Sequence, residues 1–92
     1  MSRRFRSVWD AIEDVPAVAE NMKLRSALMI ALADHIGRRG WTQREAARRL
    51  GVTQPRVSDL MRGRIGLFGL DTLVNMATAA GLHLELRIAD AA

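Results

Sequence analysis

Gln54, Arg56 and Asp59 bring an amide, a guanidinium and a carboxylate together within one short stretch of chain. These groups suit the edges of base pairs: the Gln54 amide can pair in bidentate fashion with adenine, Arg56 with guanine, and Asp59 can accept from cytosine. Pro55 lies between them and adds an apolar ring to the base-reading set. A second set is placed for phosphate oxygens. Thr42, Gln43 and Thr53 fall at expected helix starts, where hydroxyls, amides and free backbone N–H groups meet anions, and Arg62 and Arg64 follow toward the flanking backbone. The first set would specify a sequence and the second would position the protein on it.

Each residue also has a plainer reading. Arg56 and Arg62 both lie three residues from Asp59 and equally suit exposed intrahelical ion pairs. Thr42 and Gln43 suit simple capping, and Pro55 suits the first turn of any helix. Chemistry of other kinds has little to work with. His35 and His83 stand in separate elements, the chain has no Cys or Tyr, and no Ser adjoins a His and an acid. No catalytic residue, metal site or cofactor is therefore expected. Gly63, Gly66 and Gly69 lack the preceding strand and the lysine of a phosphate-binding loop.

Two short helices must hold these side chains. Thr42 and Glu45 have the spacing of a capping box, and Thr53 can cap the next helix with its hydroxyl. Val52 can pack on Val57 as a hydrophobic staple across the second start, and Gly51 can take the positive φ that ends the first helix. Ala46, Ala47 and Leu50 on the first helix face Val57, Leu60 and Met61 on the second, which leaves Pro55, Arg56, Asp59 and Arg62 pointing outward. This segment, WTQREAARRLGVTQPRVSDLMRGR, resembles the DNA-binding helix-turn-helix of the Xre/Cro family of repressors.

Charge points the same way. Residues 38 to 64 hold eight arginines against Glu45 and Asp59, a local +6 in a chain of net +4, so the remainder sums to −2. Such asymmetry implies a polyanionic partner, double-stranded DNA, although Arg48 and Arg49 point away from the corner and read as a solvated face. With 92 residues the chain makes one small domain, near the size at which oligomerisation commonly adds stability. The absence of cysteine suits a reducing cytoplasm, and no uncharged stretch of ~18 residues is present to span a bilayer, so no membrane partner is expected.

Outside the motif, Val18, Met22, Leu28, Met29, Leu32 and Ile36 recur at helical spacing and predict one long scaffold helix from Pro16 to Arg39, closed by Gly40. A further helix is expected from Leu70 to Ala80, with Leu70, Leu73, Val74 and Ala77 closing the domain and Phe68 stapled onto Leu73. The tail then changes period. Leu82, Leu84, Leu86 and Ile88 alternate with polar residues, as in a half-buried strand. A lone strand lacks hydrogen-bonding partners, so residues 82–89 are expected to pair with the same strand of a second copy in a homodimer or with a partner protein; the plainer reading is that they fold back on the chain's own helices, with residues 5 to 9 as a pairing partner. Residues 1–15, with Phe5, Val8, Trp9 and Ile12 among charges, are expected to bury that apolar set within the fold.

Taken in order, the VWDAI stretch, the long helix, TQREAARRLGVTQPRVSDLMRGR and the final strand signal resemble small antitoxin-type Xre regulators of the HigA group. The resemblance implies an all-α, lambda-repressor-like helix-turn-helix bundle of about five helices, with the DNA-binding domain over residues 16–81 and a short C-terminal strand. It also implies a homodimer that represses its own operon and binds a cognate toxin. Three outcomes are distinguished: a sequence-specific repressor, with or without a toxin partner; a protein-interaction module that mainly occludes a toxin; and a nonspecific binder showing a steep salt slope but little sequence preference.

Overall fold

The computed structural model describes residues 16–90. Four α-helices follow one another: α1 (Pro16–Arg39), α2 (Gln43–Leu50), α3 (Gln54–Met61) and α4 (Leu70–Ala79), with a single 3-10 turn at Ile65–Leu67 between α3 and α4. The architecture is all-α, with four α-helices among the described residues where about five were expected. The expected features of residues 1–15, and the pairing of the tail with residues 5 to 9, lie outside the described residues.

Local sequence explains the boundaries. α1 begins on proline, whose fixed φ suits a first helical turn, and ends where the Gly40 N–H donates to the Gly37 carbonyl at 3.1 Å and the Trp41 N–H to Ile36 at 3.2 Å. That double closure satisfies carbonyls which a helix end would otherwise leave unpaired. The same pattern closes α3, where Gly63 donates to Leu60 at 3.0 Å and Arg64 to Asp59 at 3.1 Å. Arg38 and Arg39 sit at the negative end of the α1 dipole. The exposed Arg38–Asp34 pair at 2.9 Å adds little, because solvent screens it.

One core joins the four helices. Met29, Leu32 and Ile36 from α1 meet Ala46, Ala47 and Leu50 from α2, Val57 and Leu60 from α3, Phe68 from the loop, and Leu73, Met76 and Ala77 from α4. The small Ala46 and Ala47 let α2 and α3 approach closely, and α1 supplies the surface on which α3 and α4 rest. Only the second half of α1 is buried this way; Val18 and Leu24 in its first half are exposed.

Several expectations about burial are corrected. Met61 was expected to face the core and is 43 % exposed, because α3 ends there and the chain turns away at Gly63 before anything can cover it. Val74 is likewise exposed on α4, whereas Met76, which the apolar stripe omitted, is 2 % exposed. Phe68 is buried, and Gly69 is the N-cap of α4, so Phe68 and Leu73 occupy the positions of the expected staple within one core.

The tail differs most from expectation. Residues 82–90 form neither helix nor strand. Leu82 packs on the core, while Leu84 and Leu86 line an open apolar groove of about 480 Å³ with Leu24, Leu28, Leu70 and Val74. A strand is defined by its ladder, and no neighbouring backbone among the described residues supplies one.

Candidate nucleic-acid interface

α2 and α3 present the proposed reading surface, and their starts are built alike. Thr42 and Thr53 both adopt extended backbone, and their hydroxyls accept from the N–H groups of Glu45 at 3.1 Å and Arg56 at 3.3 Å. Each hydroxyl hydrogen stays available to donate outward, so a cap and a phosphate contact can share one oxygen. Between the helices Gly51 has φ 71°, and the Val52 N–H donates to the Ala47 carbonyl at 3.0 Å. Val52 is half-buried against the core and Val57 fully buried, in keeping with a staple.

The capping box forms only in part. Thr42 caps α2, but the Glu45 carboxylate turns along its own helix to accept from Arg48 Nη2 and Arg49 Nε, both at 2.6 Å. Hydrogen bonds from Arg48, and then from Arg49, hold the Glu45 carboxyl below the usual carboxylate range. The same pairing raises the Arg48 guanidinium above its ordinary value. Arg48 and Arg49 are both exposed, as a solvated face requires, and share the single Glu45 carboxylate. Arg49 also lies over the Trp41 ring, 5.1 Å from its centroid, and a second contact of Trp41 is His35, edge-on at 5.3 Å. His35, which the sequence left as an isolated residue, is buried in this joint between α1 and α2.

On α3 the core side is Val57 and Leu60, and the reading candidates occupy the rest. Gln54 and Pro55 are exposed at the first turn, as are Thr42, Gln43 and Thr53 nearby in sequence and Arg62 and Arg64 beyond the helix. Asp59 is half-buried. The alternative pairs from Arg56 and Arg62 to Asp59 do not form; among the described residues the guanidinium nearest Asp59 is Arg64, with Nε at 3.8 Å from Oδ1. At that distance, and with Arg64 half exposed, the contact is weak and leaves the carboxylate able to accept from a ligand.

Arg56 is placed differently from Gln54. It is half-buried, with Cζ 4.9 Å from the centroid of the Phe68 ring. From α1, Arg25 Nη1 donates to the Phe68 carbonyl at 3.3 Å. The contacts of Phe68 with Arg25 and Arg56 join separate elements of the chain, and no local spacing signals them.

Among the described residues there is no group of His, Asp or Glu that could hold a metal ion, and no helix is long and apolar enough to cross a membrane. The outward side of α3 carries Gln54 and Pro55 exposed and Arg56, Ser58 and Asp59 half-buried, a set of hydrogen-bonding groups of the kind that suits base edges in a DNA groove. No curated protein matches the chain. A family model described as a helix-turn-helix domain matches residues 11–89, spanning α1 to the tail with the two capped helices at its centre. The chain belongs to this family of DNA-binding helix-turn-helix domains.

Proposed function

We propose that this protein is a sequence-specific transcriptional repressor, not an enzyme, that places α3 in the major groove of DNA in the cytoplasm. Gln54, Pro55 and Asp59 contact base edges, while Thr42, Gln43, Thr53, Arg62 and Arg64 contact phosphates. The observation that carries this reading is the division of α3, with Val57 and Leu60 buried beneath an outward polar side that begins at a capped N-terminus. The protein acts as a homodimer joined through residues 82–89. Leu86 and Ile88 are 80 % and 84 % exposed, an apolar surface that a second tail would cover. Two copies of α3 related by a twofold axis would then read half-sites about 34 Å apart.

The same apolar tail and groove favour a second role, as an antitoxin that binds a cognate toxin and represses the operon encoding both. Selection of bound fragments from genomic DNA tests the set. Enrichment of a two-half-site sequence upstream of the protein's own reading frame, beside a second small frame, is the expected result. Retention of fragments without sequence preference would overturn specific repression, and a site away from its own promoter would overturn autoregulation.

A further inference from the structure

We propose that Arg56 is a positioning residue, which sets the angle of α3 by clamping its first turn to Phe68 instead of reading a base. This rests on the reading of α3 as the DNA-contacting helix. Phe68 is a fixed post. Its N–H donates to the Ile65 carbonyl at 3.2 Å, its carbonyl accepts from Arg25 of α1, and its ring is 1 % exposed within the core. The Arg56 guanidinium lies over that ring. A guanidinium over an aromatic face is attracted by the ring quadrupole, and its flat shape also shields the ring from water.

Two consequences follow from the position of Arg56 in α3. It stands beside Pro55 and two residues from Gln54, so a tether at Arg56 fixes the turn that carries both exposed readers. To pair with a guanine the guanidinium would have to leave the ring and uncover a side chain that is otherwise buried. The far end of α3 is anchored separately, by Leu60 in the core and by the closure at Gly63. With Arg56 on Phe68 the helix is held at both ends, and Gln54 meets the groove already oriented.

The test uses the full chain and the duplex that the wild type selects from a random pool. Affinity is measured for Arg56→Ala, Arg56→Lys, Phe68→Leu and the Arg56→Ala, Phe68→Leu double variant against that duplex and each of its single-base-pair changes. Arg56→Ala should weaken binding by about threefold to thirtyfold. The loss should be similar on every duplex, and Arg56→Lys, which keeps a cation over the ring but loses the bidentate fork, should restore most of it. Phe68→Leu should resemble Arg56→Ala, with the double variant little worse than either. If Arg56→Ala and Arg56→Lys both relaxed preference at one base pair while Phe68→Leu did not, Arg56 would be a base reader and the clamp would be refuted.

Amide exchange without DNA supplies a readout that survives poor folding of Phe68→Leu. Exchange across Val57–Met61 should quicken in Arg56→Ala and return toward wild type in Arg56→Lys. Unchanged exchange in Arg56→Ala would overturn the clamp by itself. A wild-type chain that selects no duplex would instead overturn the DNA reading beneath it, a failure seen separately from the exchange result.

Discussion

The α2–turn–α3 unit and the tail carry sequence signals of similar clarity, yet only the first completes its structure within one chain. In α2 and α3 each local signal finds its partner nearby: Thr42 and Thr53 cap, Gly51 closes, and Val57 and Leu60 reach the core. In the tail, alternation brings Leu82 onto the core and Leu84 and Leu86 to the wall of the groove, where Leu86, like Ile88, stays largely in solvent, and no ladder forms among the described residues. Helical hydrogen bonds are made within a segment, whereas a strand requires another backbone. The contrast separates a region whose fold is self-contained from one whose pattern calls for company.

The largest expected effect comes from setting the two regions against each other. Leu60→Ala removes a fully buried side chain and should cost about 2–5 kcal/mol in denaturant unfolding. Ile88→Ala should cost less than about 0.5 kcal/mol in dilute protein. The order should reverse for self-association: Leu86→Asp combined with Ile88→Asp should halve the mass in solution while leaving the helices intact. A mass unchanged by that double substitution would break the comparison, because the tail would then have no role between copies.

Within the reading surface the effects are smaller. Gln54→Ala should lose about 1–3 kcal/mol at the selected site and relax preference at one base pair, whereas Arg64→Ala should weaken all duplexes alike and flatten the salt dependence. Equal losses on every sequence from both would remove the distinction between reading and positioning. Gly51→Ala meets no atom within 4 Å, so its cost should be backbone strain alone at φ 71°, about 1 kcal/mol by thermal unfolding. A larger loss would mean that the corner tolerates less than its open surroundings indicate.

The smallest effect is the response of Glu45 to acid. Arg48 and Arg49 depress its carboxyl below the ordinary value of 4.5, so the folded state favours the charged form more than the unfolded chain does. That stabilisation is complete above the unfolded value and is lost as pH falls from about 4.5 through the folded value. Thermal midpoints of wild type and Glu45→Gln should therefore differ slightly at pH 7 and converge once the folded-state carboxyl is protonated. A difference that widened on acidification would contradict this assignment.

Most of the helical frame was legible because its signals are local. Pro16 and Gly40 bound α1, and Thr42, Gly51 and Thr53 bound the motif helices. Burial was harder to read, since a periodic stripe gives the direction of a face but not how far the neighbouring elements extend over it. Met61 and Val74 lie at the edge of such faces and remain open, while Met76 lies under a neighbour. The candidate readers Gln54 and Pro55 stand exposed where helical spacing placed them. The surroundings of Arg56 were not legible, because Phe68 belongs to a loop after the helix and becomes its partner only once the chain has folded back.

The setting of Trp41 offers a built-in optical gauge. Its indole contacts both His35 of α1 and Arg49 of α2, so its emission should change as soon as those two helices part. The chain has two tryptophans, and Trp9→Phe would leave Trp41 as the single emitter. Fluorescence could then follow the junction of α1 and α2 in real time, with no label attached.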